Sequence, residues 1–409
     1  MTPPLYIALR FLAHRKRSFF FSVSGVVFGV AIFICTQAQT EGFAQDFIRS
    51  TLGSTGALIV RSRVQSEAAP LPVRPGNSAR RRSVGEGIND AAEIMRVSRQ
   101  FSNVVACSPV LRGSVSARAG FQNATVDLFG VEPGPHLQTT NIADQLVDGT
   151  FDNFRNNPTN VIVGSRLAAL LGVNVGDAVQ LLSPGGEFWR FNVAAIARSG
   201  VGSVDLSRMY CHAKIAQRLL RKPFPATMIV YKLRDTDRAP ALAKHFQHLF
   251  QHDAESWQER EEGNLQLFTT LRLSAAITVS LIILLAGFGI FNVLTMTVLA
   301  KVKEIAILRS MGYRRVDISA IFLWHGAIIA AAGAVLGCLL GALMTLGVSR
   351  IPIQVRGLIY ANHFLVSWNA WHYISATVLA VIAVFIASYV PARRAAMLPP
   401  VATLRGSSA

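Results

Sequence analysis

The chain has 409 residues, 51% of them hydrophobic and only 15% charged, and its mean hydropathy is +0.38. Soluble domains carry about a quarter charged residues, so the composition argues against a wholly soluble chain and for long lipid-facing segments. The formal net charge of +17 is scattered on both flanks of the apolar runs and not gathered on one face, which argues against nucleic acid as a partner.

Residues 1–18 contain PLYIALRFLAHRKR, with Leu5, Leu9 and Leu12 at near-helical spacing and basic residues toward the end. That pattern suits a helix lying in the membrane interface. Residues 19–38, FFFSVSGVVFGVAIFICTQA, form the first apolar run, and about 20 such residues span a bilayer. The run is longer than the roughly 7–15 residues of a signal-peptide core, and Cys35 follows bulky Phe33 and Ile34, a poor lipoprotein box. A retained anchor is expected.

Residues 39–272 are long enough for one or two compact domains. Strands are expected at Ala57–Val60, Ser114–Ala119, Ala124–Val131 and Phe188–Ile196, with SPGGE at Ser183–Glu187 as a turn. Helices are expected over Asp90–Ser102, Ser165–Leu171 and Ala239–Phe250. The segment reads as α+β, with two subdomains. Glu67–Glu86 is a loop rich in Pro, Gly, Ser and Arg, and its Arg80-Arg81-Arg82 run reads as solvated. Cys107 and Cys211 both fall in this segment, and their pairing stays open, whereas Cys35 and Cys338 read as packing residues within spans. His245, His248 and His252 are spaced i, i+3, i+7, as a zinc-binding helix face would be. A solvated helix face has the same spacing and no fourth ligand is marked, so no metal site is assigned.

Three more runs qualify as spans: residues 273–299, 318–348 and 373–390. Between the second and third lies 300–317, with KVKEIAILRSMGYRR. Val302, Ile305, Leu308 and Met311 are expected on one side of a short helix, with Gly312 as its stop. Residues 349–372 form a short outer loop and 391–409 a tail. Lys and Arg cluster before the first span (Arg10, Arg15, Lys16, Arg17), between the second and third, and after the fourth (Arg393, Arg394, Arg405); the 349–372 loop has Arg356, with Arg350 at its edge. By the positive-inside rule both termini and the short helix are cytoplasmic and 39–272 lies outside. Asn292 and His325 are polar residues within spans, read as interhelical hydrogen-bonding groups.

No GxxxxGK[ST], HExxH, CxxC or GxSxG pattern occurs. No catalytic residue, nucleotide site or resident cofactor is therefore assigned to this chain.

NVLTMTVLAKVKEIAILRSMGYRRVDISAIFLWHGAIIAAAGAVLG resembles the permease domain of type VII ABC transporters, the FtsX/MacB-like superfamily. There a segment of the form xxEIAxLRxxGxxxxxI is the coupling helix that meets the ATPase. Glu304, Ile305, Leu308, Arg309, Gly312 and Ile318 match it. The resemblance implies that Lys303, Glu304, Ile305, Leu308, Arg309 and Gly312 couple this chain to an ABC ATPase dimer that binds ATP and Mg. The tail Tyr389–Gly406 is also similar to the family's. Within the superfamily, four further stretches resemble lipoprotein-releasing (Lol) permeases of the LolC/LolE type: YIALRFLAHRKR, Val161–Pro184, Gly200–Arg221 and Ser256–Leu273.

That narrower likeness implies a multi-pass protein of the bacterial inner membrane, paired with an identical or homologous second permease. Together they would extract lipoproteins from the outer leaflet toward a periplasmic carrier. Phe28, Phe288 and Phe291 would line the lipid-facing cavity. Two other readings stay open: a MacB-like exporter of peptides or small molecules, and an FtsX-like regulator of a periplasmic hydrolase.

Overall fold

A computed structural model describes residues 16–62, 87, 88, 90–352 and 364–397. The expected interfacial helix before residue 16, the Glu67–Glu86 loop with Arg80–Arg82, and the tail beyond 397 lie outside the described residues, as does Arg356. Two compact units form: residues 16–45, 266–352 and 364–397 make one, and 46–62, 87, 88 and 90–265 the other.

The first unit is built from long helices. Among the described residues, four are long and apolar enough to cross a membrane, within Lys16–Thr55, Glu262–Ala300, Arg315–Ser349 and Ala370–Met397. All four exceed the apolar runs that announce them, because flanking polar residues keep helical backbone. Lys16–Thr55 has 40 residues, about 60 Å at 1.5 Å per residue, against a hydrocarbon core of about 30 Å.

Small residues set how closely these helices approach. Gly333, Gly337 and Gly341 recur every four residues on the third span. A Cβ there would meet Val26 at 2.6 Å, Val30 at 2.7 Å and Ile34 at 3.1 Å on the first span. On the first span, Gly29 admits Ile283 of the second in the same way, at 3.1 Å. Gly326 lies against Ser388 of the fourth. Val30, Ile34, Ile290, Leu294, Ile329 and Ala376 are fully buried in the resulting core.

The second unit is α+β. Its strands are β1 (Leu58–Arg61), β2 (Val104–Ala119), β3 (Gln122–Val131), β4 (Leu146–Gly149), β5 (Asn160–Gly164), β6 (Ala178–Leu182), β7 (Phe188–Ala197), β8 (Arg208–His212), β9 (Met228–Leu233) and β10 (Asp253–Ser256). They form one sheet in the order β10-β1-β9-β2-β3-β8-β5-β7-β4, with β6 pairing β2 and β7. The β3–β8 and β5–β7 pairs are parallel and the other pairs antiparallel.

Two apolar cores lie along the sheet. Tyr231, Phe246 and Trp257 centre one, at the β10-β1-β9 end, and Leu111, Leu128, Val163 and Met209 another. The expected two subdomains therefore share a single sheet, since β2 pairs with β9 on one side and with β3 on the other.

The helices Ser165–Leu171 and Ala239–Phe250 have the expected limits. The helix expected over Asp90–Ser102 is shorter, Ala91–Ser98. Cys107 and Cys211 are both free and buried, in different cores. The histidine face does not form as spaced. The helix ends at Phe250, Gln251 turns into the left-handed region at φ 56°, and His252 falls outside it. His245 instead packs edge-on against Phe101 at 5.5 Å.

A third cluster joins Phe129, Phe154 and Tyr210, and beside it His136 is buried with its ring 5.7 Å from Tyr210. Burial, reinforced by the positive charge of Arg208, lowers the His136 pKa to about 3. An unfolded histidine titrates near 6.5, so the unfolded state binds more protons between these values. Stability is complete above pH ~6.5 and is lost as pH falls toward 3. Melting of the full chain in detergent should shift down steadily below pH ~6.5, and His136→Gln should flatten that slope. An unchanged slope in the variant would contradict the assignment.

Candidate functional site

The segment between the second and third spans is held at both ends by backbone geometry. Lys301 N–H donates to the Thr297 and Val298 carbonyls, closing the second span. A short helix then runs Val302–Ser310. It stops in a Schellman arrangement: Tyr313 N–H donates to Leu308 O and Gly312 N–H to Arg309 O, both at 3.2 Å. Gly312 sits at φ +98°, where a side chain is strained, so this glycine is the stop the sequence implied. The chain re-enters at Arg315, and the Asp317 carboxylate accepts from Arg314 N–H at 2.9 Å.

The helix has two unlike faces. Ile305 is buried with Ile318, Phe322 and Ala395, Leu308 packs on the same cluster, and Ala306 is also buried. Arg309 Nη1 donates to the Ala396 carbonyl of the fourth span at 2.9 Å. On the other face Lys303 and Glu304 are exposed, and Glu304 pairs with Lys301. Ile307 and Met311 are 49% and 72% exposed.

Met311 therefore departs from the expected packed side. Steps of three residues fall about 60° short of a turn, so three steps carry Met311 about 180° from Val302. The six residues expected to couple divide accordingly. Ile305, Leu308 and Arg309 fasten the helix to its own unit, Gly312 ends it, and Lys303 and Glu304 face outward. Sequence reasoning missed Ile307, and it misplaced Met311. The packing of the helix against the spans decides both exposures and leaves no mark in the sequence.

Along the spans, Phe28 and Phe288 are 57% and 61% exposed. Phe288 stacks on Phe291 with centroids 6.0 Å apart, and Phe28 does not join that stack. Asn292 is exposed and His325 buried. Among the described residues neither side chain makes a hydrogen bond to another helix. No group of three or more His, Cys, Asp or Glu side chains suited to a metal occurs among the described residues.

Residues 19–249 match the MacB-like periplasmic core domain, and residues 276–400 match the FtsX-like permease C-terminal domain. The lipoprotein-releasing system transmembrane protein LolC of Neisseria meningitidis is 26% identical over 98% of this chain and 98% of its own length. The corresponding LolE protein of Haemophilus influenzae is 25% identical over 99% of both chains. The macrolide export ATP-binding/permease protein MacB of Nitrobacter winogradskyi is 24% identical over 94% of this chain and 57% of its own length.

Proposed function

Because the chain belongs to the FtsX/MacB-like ABC permeases, we propose that it is the membrane-spanning subunit of a transporter that extracts lipoproteins from the outer leaflet of the bacterial inner membrane. The observation that carries this reading is the end-to-end similarity to LolC and LolE proteins, which runs through both domains and leaves almost nothing of either partner unmatched.

In this reading an ATPase dimer binds ATP and Mg at the cytoplasmic face. Lys303, Glu304, Ile307 and Met311 meet it, and the packed face of Ile305, Leu308 and Arg309 hands the movement to the third and fourth spans. The second span follows directly, since its helix ends at Ala300, one residue before the short helix's cap at Lys301. That helix has 39 residues and begins at Glu262, among the last residues of the outer unit. At about 58 Å it is longer than the roughly 30 Å hydrocarbon core. A push at one end is thereby carried to the outer domain. The need for ATP follows from the substrate: each buried CH₂ of an acyl chain contributes roughly 0.8 kcal/mol. A second permease, identical or homologous, completes the cavity, and a periplasmic carrier receives the lipoprotein.

Exposed Phe288 and its half-buried stacking partner Phe291 lie at the proposed point of acyl entry, with exposed Phe28 on the neighbouring helix. Phe288→Lys should abolish lipoprotein release while ATPase binding persists, measured by co-purification and by release from vesicles. Wild-type release by this variant would remove Phe288 from the substrate path.

The match to the MacB-like core domain favours one competing reading, export of a peptide or small molecule. Native purification of the tagged chain separates the two. Co-purified ATPase with acylated lipoproteins supports extraction, whereas ATPase with a periplasmic adaptor and no lipoprotein overturns it in favour of export.

A further inference from the structure

The outer domain has a cavity of about 260 Å³ on one face of its sheet. Its floor follows from strand register. Arg112, Phe129 and Tyr210 are cross-strand neighbours on β2, β3 and β8, and Asp127 stands beside Arg208 two residues along. Side chains two residues apart on a strand share a face, so these groups converge. The Arg208 guanidinium lies 4.4 Å over the Phe129 ring, and its Nη1 donates to Ser54 O at 2.9 Å and Tyr210 Oη at 3.2 Å.

Arg260 lines the same cavity. Its Nη2 donates to Thr55 Oγ1 and Gly56 O, both at 3.0 Å, while its Nε and Nη1 are buried without a hydrogen-bond partner. His136, 3% exposed, lines it too, with Nδ1 3.5 Å from Ser108 Oγ and Nε2 unpartnered.

The carboxylates nearby do not balance these cations. Asp127 is engaged by Arg112 at 2.9 Å, and Arg61 is taken by Glu255 at 3.1 Å. Glu261, which also lines the cavity, accepts from Asn264 at 2.7 Å. Among the described residues neither Arg208 nor Arg260 has a carboxylate partner within ion-pair distance. A buried guanidinium with unmet N–H groups carries a desolvation penalty that an anion would relieve. Burial already pushes the pKa of Arg260 down to about 10, in keeping with that penalty.

We propose that this cavity binds a phosphate group carried on a small organic body, held by Arg208, Arg260 and the His136 imidazole. Donors converging from three separate elements suit a tetrahedral oxyanion; a carboxylate has two oxygens, which one bidentate arginine satisfies. Ile59, Met228 and Val230 line the remaining wall and receive the body of the ligand. The volume equals about nine waters at ~30 Å³ each. It admits a phosphate ester or a lipid headgroup but not acyl chains.

The test is calorimetry on the full chain in uncharged detergent at constant ionic strength, titrated with glycerol 3-phosphate or inorganic phosphate against chloride. Saturable binding with Kd below about 1 mM is expected, weakened about tenfold or more by Arg208→Gln and by Arg260→Gln. Thermal melting checks that each variant folds. Because Arg260 also tethers Gly56, a measurement on the unaltered chain accompanies these. Glycerol 3-phosphate should slow phenylglyoxal modification of Arg208 and leave exposed Arg234 unaffected. Competition by phosphatidylglycerol nanodiscs, but not by phosphatidylcholine nanodiscs, would identify the occupant as a headgroup. Undiminished binding in both would identify a free phosphate ester. Absence of saturable binding, or binding that survives both arginine variants with Arg208 unprotected, would overturn the proposal.

Discussion

Glu304→Lys and Met311→Asp should each cut lipoprotein release at least tenfold while leaving the melting temperature of the chain unchanged. Both residues are exposed on the outward face of the short helix, and Glu304 pairs with half-buried Lys301 near the surface. Such a pair contributes about 0.2–1 kcal/mol, so its loss does not threaten the fold. Reversal at Glu304 instead adds a third positive charge beside Lys301 and Lys303, on the surface proposed to meet the ATPase. Ile305→Asp should behave differently. Ile305 is buried among Ile318, Phe322 and Ala395, and an unpaired carboxylate there costs several kcal/mol. That variant should lose stability together with activity. Release assays and melting curves on the three variants separate a contact face from an anchor. If Glu304→Lys melted early, or Ile305→Asp melted normally and failed only in release, the two faces would be wrongly assigned.

Gly337→Leu should be strongly damaging to the spanning unit. A Cβ at Gly337 would sit 2.7 Å from Val30 Cβ and 3.2 Å from the Val27 carbonyl. The second of these is backbone and cannot swing aside, so the first and third spans must separate. Overpacking typically costs about 1–3 kcal/mol, and here it also disturbs Gly333 and Gly341 on the same stripe. Gly347→Leu, on the same helix with open space around its Cα, is the control and should be neutral. Lower yield and earlier melting for Gly337→Leu alone is the expected result. Equal melting for both variants would show that the stripe does not set the helix contact.

The sequence made the spans legible because apolar runs of this length have few alternatives. Their true ends were not legible. Gln39–Thr55 continues the first helix with polar and charged residues mixed in, so hydropathy stops where helical backbone does not. In the outer domain, the hairpin of β2 and β3 and the helices at 165–171 and 239–250 carry clear alternation or periodicity. Strands such as β5, NVIVG, and β8, RMYCH, are too short for a period to register. They are also defined by parallel partners distant in sequence, and such pairing leaves no local mark.

The short helix was legible as an element. Its orientation was not, since nine residues allow several apolar stripes and only the spans around it decide which one packs. Asn292 and His325 show the same limit: a polar residue in a span marks a position of interest but not its partner. The phosphate cavity had no sequence signal. His136, Arg208 and Arg260 are separated by more than fifty residues at each step and are brought together only by the order of the sheet.

In the proposed function this chain couples ATP hydrolysis to lipoprotein extraction. Reconstitution tests it most directly. Vesicles containing the chain, its ATPase, its partner permease and an acylated lipoprotein are given ATP, and lipoprotein is measured on a soluble carrier. Release should require ATP and fail with Glu304→Lys. Brisk ATP hydrolysis by the complete assembly with no lipoprotein leaving the membrane would contradict it.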